Sequence, residues 1–279
     1  MTREADTKRR GATLAGLGVV VTRPAAQAEP LCARIEARGG KAIRFPTLAI
    51  EPPEDPQSAT AAVEQLGRYD MAVFVSPNAV SYATALVRER GVPWPRGMRV
   101  AAVGRTTAEA LRAAGHPPDA VPAGRYDSES LLECNELRTV AGKHVVIFQG
   151  SGGRELLAQI LRARGAHVTI AEVYRRVRPR VDPDALLARW RSGEVDIATA
   201  TSNEALRNLY DMLGNAGRGL LLATPLAVFS ERCAALAREL GFQHTPIVAE
   251  VASDEALVQA LEHWQRHRGG GGESNRDST

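Results

Sequence analysis

One spacing constrains this chain more than any other feature of it. The stretch YDMAVFVSPNAV (69–80) returns as VDIATATSNEAL (195–206), placing Asp70 over Asp196, Ala72 over Ala198, Ser76 over Ser202 and Ala79 over Ala205, each 126 positions on (196 − 70). The same offset carries Gly91 to Gly217, Gly115 to Gly241, Glu129 to Glu255 and Leu131 to Leu257. Upstream it carries Val19 to Val145, Val20 to Val146, Arg38 to Arg164 and Gly39 to Gly165. One constant offset from residue 19 to residue 131 marks an internal duplication, so whatever fold one copy adopts must be reachable by the other.

Each copy alternates apolar runs with helical patterns. In the first, Leu17–Thr22 (LGVVVT) reads as a buried strand, Ala25–Arg38 as a helix stopped by Gly39-Gly40, and Lys41–Phe45 as a second strand. Strands at Met71–Val75 and Arg99–Val103 follow, each running into small polar residues and then a helix, with a short strand near Ala120–Val121. The second copy repeats the series at His144–Phe148, His167–Ala171, Asp196–Ala200, Leu226–Phe229 and Ile247–Ala249, and a last helix starts at Asp254. Strands alternating with helices imply doubly wound parallel sheets, an α/β class, with ligands bound beyond the carboxyl ends of the strands. Those ends are where the chain places its Ser, Thr, Asn, Gly and Arg residues. The tails, 1–16 and 269–279, are polar and aperiodic and are expected to be disordered.

Composition narrows the function. The chain has 279 residues, enough for two domains, and no run approaches the roughly 18 apolar residues of a membrane helix. No apolar stretch follows the charged N-terminus, so no signal peptide and no membrane partner are expected. Three widely spaced cysteines suit a reducing cytoplasm, and neither they nor the six histidines show metal-ligand spacing. The net charge of +3 lies in the tails: Arg3, Lys8, Arg9 and Arg10 outweigh Glu4 and Asp6 by two, and Arg266, Arg268 and Arg276 outweigh Glu273 and Asp277 by one. A formally neutral body argues against nucleic acid as a partner, so any anion site must be built locally.

Several segments in fixed order carry a family likeness: TRP (22–24), P-x-L-x-I-x-P (46–52), SPNAV (76–80), AVGRTTAEAL (102–111), QGSGGREL (149–156), EVYRR (172–176), TSNEAL (201–206) and VFSERCAALARELG (228–241). Together they resemble uroporphyrinogen-III synthase over residues 17–264. The resemblance implies two doubly wound lobes with exchanged N-terminal parts: lobe one from 17–45 plus 178–268, lobe two from 52–171, and a two-stranded hinge from 46–51 and 172–177. The 126-residue period alone fits a plain tandem pair split near Gly142 equally well. The implied substrate is hydroxymethylbilane, a linear tetrapyrrole with eight carboxylates, closed with inversion of ring D to uroporphyrinogen III and water. The resemblance further implies a cytoplasmic monomer with no metal and no organic cofactor.

Read residue by residue, Ser76, Pro77, Asn78, Gly104, Thr107, Gly150, Ser151, Ser202, Asn203 and Ser230 sit at or beside expected helix starts. Free N–H groups and the positive helix end there receive carboxylates without a basic body, although Ser and Asn are equally ordinary helix caps. The loop GSGG lacks the third glycine of a dinucleotide fingerprint, since position 155 is Glu155. Arg23 and Arg154 follow strands and are candidate carboxylate partners. Arg176 and Arg178 share a face with Tyr174, for substrate capture or for solubility. Tyr174 matches a family tyrosine suspected of assisting departure of the substrate hydroxyl, a step a neutral phenol can serve; the alternative is aromatic packing. Its repeat mate is Leu48 (174 − 126). Scarce general acids and bases leave a rival reading open, a non-catalytic two-lobed binder or sensor of small anions or tetrapyrroles.

Overall fold

The structure is a computed structural model that describes residues 12–124, 127–153 and 155–268. The strands run in chain order as β1 (Gly18–Val21), β2 (Lys41–Arg44), β3 (Ala49–Glu51), β4 (Met71–Phe74) and β5 (Arg99–Ala102). After them come β6 (His144–Gly150), β7 (His167–Val177), β8 (Ile197–Ala200), β9 (Leu226–Val228) and β10 (Ile247–Val248). They form two compact units, one from the described residues up to Ala49 together with those from Val177 onward, the other from Ile50–Arg176.

The first unit holds a parallel sheet of order β10-β9-β8-β1-β2. The second holds β3-β7-β6-β4-β5, in which β4, β5, β6 and β7 pair in parallel. The sequence offset maps one sheet onto the other: β1 onto β6 and β2 onto β7 (144 − 18, 167 − 41), with β4 mapping onto β8 (197 − 71). The strand expected near Ala120 is a single parallel bridge to Ala101, in the place β10 takes in the other sheet.

Central strands β1 and β4 are apolar throughout because helices cover both faces. Ala72 and Phe74 of β4 enter one core while Met71 and Val73 enter the core on the opposite face. Val20 and Val19 of β1 divide in the same way. The repeated aspartates have a matching task in each unit. Asp70 Oδ2 accepts from the His144 N–H at 2.8 Å, and Asp196 Oδ2 accepts from the Gly18 N–H at 2.8 Å. Each closes the first open amide of the neighbouring strand, so the identity of this pair in the two copies has a structural cause.

The fold takes in residues expected to belong to the N-terminal tail. Residues 12–16, assigned above to a disordered tail, form a turn in which Leu14 is fully buried and donates its N–H to the Arg38 carbonyl at 2.9 Å. A buried leucine with a paired backbone outweighs the polar composition around it. The remaining tail residues, 1–11 and 269–279, lie outside the described residues. Among the described residues, no helix is long and apolar enough to cross a membrane.

Candidate active site

The second unit gathers its polar residues at the carboxyl ends of β4, β6 and β7. Strand β4 delivers Ser76, in extended conformation, as the cap of the helix Pro77–Glu89; its Oγ accepts from the Ala79 N–H at 3.1 Å, and Pro77 occupies the first helical turn. From β7, Tyr174 brings its hydroxyl to 3.0 Å from Ser76 Oγ. The Tyr174 ring is almost fully buried against Tyr82, with ring centroids 5.9 Å apart, and the Tyr82 hydroxyl donates to the Ile50 carbonyl at 2.9 Å. Burial, and secondarily the charge of Glu51, raises the Tyr82 phenol above its ordinary range.

A bulge aims Tyr174. The register of β6 with β7 shifts between Gln149, paired with Glu172, and Gly150, paired with Tyr174. Side chains along β7 otherwise alternate between the two faces, yet Ala171, Val173 and Tyr174 share one core. Gly150 makes room for the ring: a Cβ there would stand 2.6 Å from Tyr174 Cζ. This is why a glycine is required at 150, a close approach rather than the open phosphate-type loop the GSGG pattern suggests.

A cavity of about 490 Å³ opens beside these groups, lined by Ser76, Gln149, Ser151, Tyr174 and Arg176 among others. A second hollow of about 260 Å³ is lined by Ser76, Pro77, Gly104, Arg105, Thr106 and Thr107. Gly104 begins the helix Arg105–Ala113 without a side chain to cap it, which leaves the amides of the first turn facing a polar hollow. Asn78 lies in the first turn of the helix Pro77–Glu89.

The expectations for the glycine loop change here. The amides of 151–153 are directed at the chain itself: Ser151 N–H to the Tyr174 carbonyl at 2.8 Å, Gly152 N–H to Glu172 Oε1 at 3.2 Å, Gly153 N–H to the Gly150 carbonyl at 3.1 Å. The helix starts only at Leu156. Gly150, the last residue of β6, and Ser151, in the turn after it, therefore line the cavity without forming a helix-start cradle for an anion. Arg154 lies outside the described residues.

In the first unit Ser202, Asn203 and Ser230 sit at helix starts, as the sequence implied. Ser202 Oγ accepts from the Ala205 N–H at 3.1 Å and Ser230 Oγ from the Cys233 N–H at 3.3 Å. Asn203 opens the helix Asn203–Met212. Arg23 is ion-paired with Asp254 at the start of the helix Asp254–His267, and its guanidinium lies 5.9 Å over the Phe229 ring. Of the arginines after Tyr174, Arg175 pairs with Glu51 at 3.1 Å and with Glu54, while Arg178 bonds Asn208 at 3.2 Å and Asp211 at 2.8 Å. Arg176 is the one that lines the cavity. Sequence reasoning missed Gln149 and Tyr82; the signal for Gln149 was a lone polar residue closing the apolar run HVVIF.

A family model described as Uroporphyrinogen-III synthase HemD matches residues 29–259. The chain is similar to the uroporphyrinogen-III synthase of Escherichia coli strain K12, 37% identical over 247 residues, which cover 88% of this chain and 100% of that one. It is 36% identical to the uroporphyrinogen-III synthase of Salmonella typhimurium strain LT2 over the same shares of each chain. Among solved structures, a mutant uroporphyrinogen III synthase from the extremely thermophilic bacterium Thermus thermophilus has the same fold, with a TM-score of 0.60 at 22% identity, covering 91% of this chain and 99% of that chain. The matched span takes in both units and every described candidate residue from Ser76 to Ser230. The chain belongs to the uroporphyrinogen-III synthase family.

Proposed function

We propose that this chain closes hydroxymethylbilane into uroporphyrinogen III, with Tyr174 assisting departure of the terminal hydroxyl and the strand-end loops holding the carboxylate arms. The observation that carries the reading is the pairing of Ser76 and Tyr174 hydroxyls, 3.0 Å apart, at the wall of a 490 Å³ cavity. Ser76 Oγ already accepts from the Ala79 N–H, and its one hydrogen can be donated to the Tyr174 oxygen. In that arrangement the phenol hydrogen is left for the substrate.

The steps balance without an external reagent. The phenol donates its proton to the hydroxyl, which leaves as water, and the terminal pyrrole becomes an azafulvene cation. The substituted carbon of ring D attacks it to give a spiro-pyrrolenine, which fragments and recloses with ring D inverted. Closure onto a pyrrole carbon releases one proton, which restores the phenol. Closure without inversion competes in solution, so the main task of the protein is to hold one geometry. The first-turn amides after Gly104, with Arg105 and Thr106 beside them, suit carboxylate arms. Asn78, Thr107, Ser151, Ser202, Asn203, Ser230 and Arg23 belong to the same reading as further contacts. It also takes the chain to be a cytoplasmic monomer needing no metal or organic cofactor.

The test is to supply freshly made hydroxymethylbilane and resolve the isomers after oxidation. The reading predicts predominantly type III. Type I alone, at the spontaneous rate, would support the rival binder.

A further inference from the structure

The duplication lets the two units be compared position by position, and one corner differs. In the first unit Arg23, at the end of β1, is ion-paired with Asp254 and covered by Phe229. The same positions in the second unit are Gln149, Ser128 and Val103 (149 − 126, 254 − 126, 229 − 126). No ion pair can form between a glutamine and a serine, and here the second unit has its 490 Å³ cavity, with Gln149 and Ser128 both in its wall.

Gln149 is 5% exposed. Its carboxamide lies across the α-carbon of Gly153, where an added Cβ would meet Cδ at 2.7 Å and both Nε2 and Oε1 at 2.9 Å. Among the described residues, that carboxamide has no hydrogen-bond partner, and its polar atoms stay open to the cavity rather than sealed from solvent. An amide that opens on a cavity without a partner in the chain has its donors free for water or for a ligand. Water can fill the cavity until a ligand displaces it.

We infer that Gln149 is a substrate-contacting residue whose Nε2 donates to a carboxylate arm of the tetrapyrrole inside this cavity. The inference rests on the proposed activity and extends it to a residue at the same site. Arg176 and Ser151 stand in the same wall and suit the same anion. The amide serves where an arginine serves in the other unit because Ser128 supplies no counter-charge for a guanidinium. Before substrate arrives, an unpaired buried cation would carry a larger desolvation cost than a neutral amide.

Two variants test it by steady-state kinetics on the full chain, with thermal unfolding recorded for each. Gln149→Leu keeps the volume and removes the donor, so KM should rise roughly tenfold or more while kcat stays within about twofold. Gln149→Arg restores a donor-only group of the kind the sister corner already accommodates, so KM should equal or fall below the wild-type value. KM unchanged in Gln149→Leu would overturn the inference. So would a rise in Gln149→Arg that matches Gln149→Leu, since that result assigns the contact to Oε1 and a pyrrole N–H. Either failure leaves type III formation by the wild-type chain intact, whereas failure of the proposed activity would show as type I product before any variant is made.

Discussion

Gly150→Ala is the sharpest perturbation the site offers, because it moves the proposed acid without touching it chemically. The added Cβ would stand 2.6 Å from Tyr174 Cζ and 2.7 Å from Cε2, against an ordinary carbon–carbon contact of about 3.5 Å or more. The ring must retreat by about 1 Å, and backbone at Ser151 and Tyr174 cannot yield, since the Ser151 N–H is bonded to the Tyr174 carbonyl at 2.8 Å. A retreat of that size takes the 3.0 Å contact with Ser76 beyond hydrogen-bonding distance. Overpacking of this kind costs about 1–3 kcal/mol of stability, and a misplacement near 1 Å can lower a rate about 100-fold. The assay is the initial rate of type III formation, with the melting curve measured alongside. Gly152→Ala is the matched control. Gly152 has φ of +71°, so alanine there is strained by about 1 kcal/mol or more, yet nothing lies within 4 Å of its added carbon. We expect both variants to melt earlier and only Gly150→Ala to lose rate. Equal rates in the two would refute the argument that Gly150 exists to seat the Tyr174 ring.

Three further expectations follow from particular contacts. Ser76→Ala and Ser202→Ala each remove a helix cap and should each cost about 1 kcal/mol, but Ser76 alone has a tyrosine partner, so its kcat should fall further. Arg23→Ala, which strands Asp254, should destabilise the first unit by about 1–3 kcal/mol; if KM rises as well, Arg23 also meets substrate. His116 stacks on Trp94 with centroids 3.6 Å apart, and burial lowers its pKa. The unfolded chain therefore binds more protons just below about pH 6.5, so stability should fall as pH drops from there through the folded value. In His116→Phe, which keeps a stacked ring, pH melts should lose that part of the slope.

The sheets were legible in the sequence because strands buried on both faces read as unbroken apolar runs, and the duplication supplied each strand twice. Ser76, Ser202 and Ser230 were legible for the same reason, since a serine before a helical pattern has one main local use. Two kinds of feature were not. The helix Gly214–Leu222 carries glycines that oppose helix formation, and it exists because Gly217 lets Leu187 and Leu213 close to within 2.6 Å and 2.9 Å of its missing Cβ. The bulge at Gly150 is a register event between two strands separated by the helix Leu156–Ala163, so neither strand alone announces it. Tyr174 was therefore visible as a residue but not as an aimed one. Arg23 was visible as a candidate, while its ion pair with Asp254, 231 positions further along, was not.

The central claim is that the Tyr174 hydroxyl, seated by Ser76 and Gly150, drives loss of the substrate hydroxyl. Tyr174→Phe removes that oxygen and keeps the buried ring, so the fold should survive with little change in melting temperature. The rate of type III formation at saturating hydroxymethylbilane should fall about 100-fold or more, the span typical of a lost general acid. A rate within about threefold of wild type would contradict the account.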